Sequence, residues 1–418
     1  MKQIIIDKLP VYMLLENRFK TCFIGVNFFD HLNDKYIGEY NILCSLLTKT
    51  NDSFRQEEDL SYELENLYDS KLNASFDITG LVCKINFSTS FINPKFIKDP
   101  DFDLTSISDL LFKTILKPNL TKEKFLLEQQ LFITDYERYY KNKRRYAGIK
   151  FMKHLIKNEP TSVGRFDMLS RIKKVTFESL LEAYNYLITL PCNMYVLGDL
   201  DESSIIASLK DHEITKLNPY FYDSSYEYRK PYIKHPRKVK YYNDEYLDSQ
   251  SVVYIGYRQT KAITESEVGK YNFLNTMLGD FSSSILFRIV REKLSLCYTI
   301  NSIISTRIGY IAISTGLSKE NIDKAIKIIT DIFTDIQNGK FDDEYIELTK
   351  TNFISTVRNS VNSQYQQLIR YNENIMGVTS KTDEEMYQEI NSITKEDIIN
   401  CAKNYKLDTI YVLRGSLW

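Results

Sequence analysis

VTFESLLEAYNYLITLPCNMYVLGDLD, Val175–Asp201, and ITKEDIINCAKNYKLDTIYVLRGSL, Ile393–Leu417, are two versions of one unit. Each opens on a threonine, Thr176 or Thr394, with a glutamate two residues on, the mark of a capped helix start. Apolar residues then recur at helical spacing, and a short apolar run follows that ends near a glycine, as a strand does. Upstream of each, LTKEKFLLEQQLFIT (Leu120–Thr134) and FDDEYIELTKTNFIS (Phe341–Ser355) match in the same sense. Thr176 pairs with Thr394, Tyr195 with Tyr411 and Phe132 with Phe353, at separations that agree to within a few residues. That agreement predicts an internal duplication rather than a chance likeness between helices.

The rest of each copy reads alike. Strands at Lys20–Phe29 and Ser251–Tyr257 are followed by helices at Gly38–Thr48 and Glu265–Gly279. Paired strands come next, Ala74–Ile78 with Val82–Ser88 and Tyr298–Ser305 with Gly309–Thr315, and the closing strands are Met194–Leu197 and Thr409–Leu413. Strands that arrive as hairpins among helices predict an α+β fold of two duplicated domains, each a mostly antiparallel sheet packed with helices. The expected boundaries are 1–215 for the first domain, a polar, Tyr-rich, Pro-containing linker at 216–240, and 241–418 for the second. A chain of 418 residues suits two domains.

Hydrophobic residues make up 43% and charged residues 26%, an ordinary globular balance. Lys+Arg 54 against Asp+Glu 55 leaves a net charge of -1, so no general affinity for nucleic acid or an anionic membrane is expected. The basic run Lys141–Arg145 (KNKRR), between Tyr140 and Tyr146, reads as a solvated helix end or loop, with a binding patch as the alternative. Cys22, Cys44, Cys83, Cys192, Cys297 and Cys401 are scattered, as reduced thiols in a cytoplasm are. The opening MKQIIIDKLP has too short an apolar run for a signal peptide, and no stretch approaches a membrane span. The expectation is a soluble, cytoplasmic protein.

The four histidines are His31, His154, His212 and His235, and none lies four residues from another. No helix can therefore present the two imidazoles of an HExxH or HxxEH zinc site. GxSxG, P-loop and GxGxxG motifs are likewise missing from the sequence.

The duplicated layout and several strings resemble the insulinase/pitrilysin family of zinc peptidases, which includes mitochondrial processing peptidase and small two-subunit bacterial relatives. NASFDITG (Asn73–Gly80) resembles that family's Asn-Ala-Ser strand beside the cleft. MYVLGDLD (Met194–Asp201) resembles the strand that closes the first half, and SQSVVYIGYR (Ser249–Arg258) the strand that opens the second. NTMLGDFSSSILFRIVREKLSLCY (Asn275–Tyr298) resembles the second-half helix with its Arg/Tyr segment. The resemblance implies that two such domains form half of a clamshell.

In that family a His-x-x-Glu-His motif lies on the first helix. The matching stretch here is YNILCSLLTKT (Tyr40–Thr50): Tyr40 and Cys44 stand at the histidine positions and Leu43 at the general-base glutamate. Tyr40, Leu43, Cys44 and Leu47 instead form an apolar stripe, the spacing of a core face. Glu128 matches the family's third ligand; one carboxylate does not hold zinc, so it is expected to be a solvent-facing or cleft residue with a structural role. No metal is expected in this chain. Arg291 and Tyr298, in REKLSLCY, match the pair that reaches substrate near the zinc. A guanidinium and a phenol can hold the negative charge that grows on a scissile carbonyl. The rival reading of Tyr298 is a core ring at the start of a strand.

The resemblance implies a non-catalytic subunit of a heterodimeric zinc metallopeptidase, supplying Arg291 and Tyr298 to the site of a homologous subunit that carries an intact His-x-x-Glu-His and the zinc. Asn73, Ala74 and Ser75 would bind a peptide substrate along a sheet edge, and removal of leader peptides or peptide maturation is a plausible role. The alternatives are a peptide-binding chaperone and a structural homodimer, neither with peptidase activity.

Overall fold

The computed structural model describes residues 2–210, 212, 217–220, 238–375 and 381–416. Most of the linker expected at 216–240, with His235, lies outside them. The chain divides into two compact units, Met1–Glu137 with Val163–Tyr226, and Arg138–Ser162 with Glu227–Trp418.

The first unit starts with β1 (Lys2–Ile6), β2 (Leu9–Leu15), β3 (Thr21–His31), α1 (Ile37–Leu47), α2 (Glu57–Asn66), β4 (Lys71–Thr79), β5 (Val82–Ile92) and α3 (Leu104–Leu116). After α4 (Lys122–Lys141) the chain enters α5 (Lys143–Leu155), which belongs to the second unit. It returns through α6 (Met168–Ile172), α7 (Phe177–Leu187), β6 (Pro191–Gly198), α8 (Glu202–Leu209) and the short β7 (Asn218–Pro219). The strand order is β1-β2-β6-β3-β5-β4, with β7 beside β6. β3 is buried along almost its whole length, since its neighbours β5 and β6 flank it and helices cover it. Ile24, Val26 and Phe28 pack into one core with Leu43 and Leu47 of α1, Ile107 and Leu111 of α3, and Leu180 and Leu187 of α7.

The second unit holds β8 (Lys240–Tyr246), β9 (Ser251–Gln259), α9 (Val268–Asn275), β10 (Thr299–Ser305), β11 (Tyr310–Leu317), α10 (Ile322–Gln337), α11 (Glu344–Val361), α12 (Gln364–Ile375), α13 (Asp383–Ser392), α14 (Lys395–Lys403) and β12 (Tyr405–Gly415). Its strand order is β10-β11-β9-β12-β8. Read from the other edge, this is the order β2-β6-β3-β5-β4 of the first unit, with β12 parallel to β8 as β6 is to β2. The chain is an α+β fold built twice. α5 lies on β9 and β12, its Phe151 ring over Gly256, where a Cβ would meet that ring at 2.7 Å. Just beyond α5, Glu159 accepts a hydrogen bond from the Arg258 guanidinium at 2.9 Å, a fully buried ion pair.

The duplicated helices do start at the threonines. Thr176 accepts from the Ser179 N–H and Thr394 from the Asp397 N–H. The residue that closes each capping box is Ser179 or Asp397, three positions on, rather than the glutamate two positions on. Two features differ from the sequence expectation. An N-terminal hairpin, β1–β2, precedes the strand expected to open the first half. The helix expected at Glu265–Gly279 is three windings in succession: a 3-10 turn at Glu265–Glu267, α9, and a π turn at Thr276–Asp280. Among the described residues no helix is long and apolar enough to cross a membrane.

Candidate functional site: a filled zinc position and an open strand edge

α1 carries the three positions where the zinc motif would stand. Tyr40 and Leu43 are 1% exposed and Cys44 7%, so all of them pack in the first core. A buried phenol needs a partner, and Tyr40 Oη donates to Asp30 Oδ2 at 3.1 Å while its ring lies 5.6 Å from that of Phe76. Burial first, then the charge of Asp30, pushes the Tyr40 phenol well above its ordinary pKa. Burial, with the charge of Asp77 second, does the same to the Cys44 thiol.

Glu128, on α4, is not solvent-facing; its side chain is 8% exposed. Ser45 Oγ donates to its Oε1 at 2.5 Å and Lys49 Nζ to its Oε2 at 2.9 Å. Lys49 follows the C-terminus of α1, where the helix dipole favours a cation. Burial pulls the Lys49 ammonium down, but the bond to Glu128 and its charge outweigh that and leave the pKa raised. An ammonium thus balances the carboxylate that a metal would balance in an intact site. The residues do not fit zinc: Leu43 offers no lone pair, the Tyr40 phenol is spent on Asp30, no imidazole stands beside Cys44, and both oxygens of Glu128 are engaged. Among the described residues no group of His, Cys, Asp and Glu could hold a metal ion.

Asn73, Ala74 and Ser75 lie on β4, the edge strand, which pairs only with β5. The hairpin turns through Gly80 at φ 60° and Leu81, a two-residue turn that needs glycine at its first position. Thr79 and Val82 are then the closing pair, so Lys71, Asn73, Ser75 and Asp77 bond to β5 through their backbones. The amides and carbonyls of Leu72, Ala74, Phe76 and Ile78 point away from the sheet. Arg165 Nη2 donates to the Ile78 carbonyl at 3.1 Å and covers that end of the row. Asn73 and Ser75 are exposed and Ala74 half-buried. Between this strand, α1 and Phe132 of α4 lies a cleft of about 370 Å³, with Cys44 in its wall. The first unit therefore brings Tyr40, Cys44, Asn73, Ala74 and Ser75 to one place, with Glu128 behind Ser45.

Arg291 and Tyr298 are in the second unit. Arg291 sits in a π turn, Phe287–Lys293, its guanidinium 4.4 Å over the Phe287 ring. The chain reverses through Ser295 at φ 50° and reaches Tyr298, whose N–H donates to the Gly316 carbonyl at 2.9 Å and starts the edge strand β10. The Tyr298 ring is 60% exposed, so it is not a core ring. Arg291 is exposed as well, and among the described residues neither side chain has a hydrogen-bond partner. Sequence reasoning missed Ser45, Lys49 and Arg165; the only signal was the position of Ser45 and Lys49 one and five residues past Cys44.

Comparison with known proteins finds one family match and several shared folds. Residues 174–353 match the family described as Peptidase M16 inactive domain. A Bacillus subtilis (strain 168) protein described as probable inactive metalloprotease YmfF is 24% identical over 415 residues, 98% of this chain and 96% of that protein. A conserved protein from Enterococcus faecalis V583 shares the fold at TM-score 0.89 and 22% identity, covering 99% of this chain and 98% of that one. A Peptidase M16 inactive domain from Pseudomonas fluorescens shares it at TM-score 0.78 and 13% identity, covering 100% and 98%. The family match thus lies in residues 174–353, and the whole chain shares its fold with the solved structure described as a Peptidase M16 inactive domain.

Proposed function

We propose that this chain is the non-catalytic subunit of a heterodimeric zinc metallopeptidase. The observation that supports the reading is the contrast between its two candidate sites. The zinc position is packed and charge-balanced from within, whereas Arg291 and Tyr298 stand exposed with unspent donors. A homologous subunit with an intact His-x-x-Glu-His supplies the metal, the water and the general base. This chain supplies a phenol that donates to the oxygen on which negative charge grows and a guanidinium that holds the adjacent peptide carbonyl. Peptide substrates add a strand to the open edge of β4. The relative described as a probable inactive metalloprotease is in keeping with the division of labour.

The six cysteines are all buried and unpaired, which suits a reducing cytoplasm, and maturation of short peptides or removal of leaders suits an edge that accepts extended chains. Binding without hydrolysis is the second reading, favoured by the same open edge, because holding a peptide requires nothing of Arg291 or Tyr298. Co-expression with a zinc-bearing homologue, followed by size-exclusion chromatography and peptide cleavage, separates the two. A stable, cleaving 1:1 complex is expected, with each chain inactive alone. Failure to associate, with peptide binding retained by this chain, would favour the second reading.

A further inference from the structure

The cleft between α1 and β4 has an unusual hydrogen-bond balance. Its polar side chains have given their donors to the protein itself. Asn41 Nδ2 donates to the Ile37 carbonyl at 2.8 Å and to Met168 Sδ at 3.3 Å. Ser45 Oγ donates to Glu128, and Thr48 Oγ1 to the Cys44 and Ser45 carbonyls. Ser75 Oγ donates to Asp77 Oδ2 at 3.3 Å. Only Asn73, at the exposed lip, keeps an amide hydrogen, since its single contact is a 3.4 Å bond to the Lys71 carbonyl. The Cys44 thiol is a weak donor at best. What Asn41, Ser45 and Thr48 of α1 keep for the cleft is the capacity to accept.

We infer that this cleft takes a cationic side chain, lysine or arginine, of the peptide lying along β4. The inference rests on the reading that a peptide pairs with that edge. An apolar occupant would seal the remaining lone pairs from water and offer them nothing. Once the outward amides of β4 are taken by the peptide backbone, a carboxylate or amide oxygen on its side chain would find almost no donor. An ammonium or guanidinium brings donors and no acceptor, and the aromatic side chains of Phe76 and Phe132 line the same wall. Local charge does not oppose it. The Lys49 ammonium is held at 2.9 Å by Glu128 with Glu57 at 3.9 Å, two carboxylates to one cation. Asp77, whose charge is felt at Cys44, stands opposite Lys84 in the β4–β5 ladder. The cleft has room for a long side chain.

Fluorescence anisotropy of the full chain tests this with labelled extended peptides that differ at one central residue: lysine, norleucine or glutamate. The lysine peptide should bind at least about tenfold more tightly than norleucine, a difference of about 1.4 kcal/mol, and glutamate most weakly. Thr48→Val, which removes an acceptor with little change of shape, should shrink the lysine preference while norleucine binding holds or improves. A version N-methylated along the backbone should bind poorly whichever side chain it carries. Equal binding of lysine and norleucine, or a norleucine preference, would overturn the cationic subsite and leave edge pairing intact. Undiminished binding of the N-methylated peptide, or no binding by any peptide, would overturn edge pairing and the subsite with it.

Discussion

Lys49→Met isolates the ion pair that stands in place of a metal. The substitution keeps the aliphatic stem and removes the ammonium, leaving Glu128 with Ser45 alone in a site where its side chain is 8% exposed. Breaking a fully buried pair from one side costs about 3–5 kcal/mol. Lys49 is itself 31% exposed, so water can reach the vacated place and recover part of that. A loss of about 1–3 kcal/mol follows. Urea denaturation of the full chain measures it, with probes that report on the first unit, since two units need not unfold together. The partner substitution, Glu128→Gln, keeps an acceptor for Ser45 and removes the charge. Combined with Lys49→Met it should restore most of the loss, because no unpaired charge is then buried. Wild-type stability in Lys49→Met, or a double variant no better than the single, would refute the view that this carboxylate depends on a lysine where an active relative depends on a metal.

Rebuilding the motif as Tyr40→His, Leu43→Glu, Cys44→His puts polar groups into sites that are 1%, 1% and 7% exposed, and should cost about 2–5 kcal/mol; elemental analysis should find no stoichiometric zinc, and a stable, zinc-loaded variant would show a dormant site instead of core. Tyr40 also sets an alkaline limit. Its folded pKa is raised above the unfolded value of 10.0, so its contribution is fully present below pH 10 and is lost as pH rises toward the folded pKa. Tyr40→Phe should be less stable than wild type at neutral pH, through loss of the bond to Asp30, and should show a shallower fall in stability above pH 10; parallel curves would contradict that. Thr394→Ala should cost about 1 kcal/mol, the usual value of a lost helix cap, and an unchanged urea midpoint would show that the Asp397 box contributes nothing.

The duplication was legible because its signals are local. A threonine cap, a helical apolar stripe and a short strand each need only neighbouring residues, and the two sheets do share one strand order. The loss of zinc ligands was equally plain at Tyr40, Leu43 and Cys44, since their spacing is that of a buried helix face. The β1–β2 hairpin was not legible: it turns at Asp7 and Lys8, both at positive φ (47° and 78°), where the usual asparagine or glycine is missing. The π turn that carries Arg291 has no sequence signal of its own. The partners of Glu128 could not be read either, because Ser45 and Lys49 are distant in sequence and meet it only when α4 packs on α1. The rival view of Tyr298 as a core ring failed for a related reason. A residue at the mouth of an edge strand need not follow the strand's inward alternation, and its ring is 60% exposed.

Turnover in the reconstituted complex tests the division of labour most directly. This chain, as wild type, Tyr298→Phe or Arg291→Ala, is paired with a zinc-bearing homologue and assayed on one peptide under saturating and limiting substrate. Tyr298→Phe should slow turnover by about 10²–10³, the usual cost of one oxyanion donor, without dissociating the complex or lowering its stability, because the ring is not in the core. Arg291→Ala should depress both turnover and apparent affinity, since it removes charge and orientation together. Wild-type turnover in both variants would contradict a role for this chain in the chemistry and leave it a scaffold.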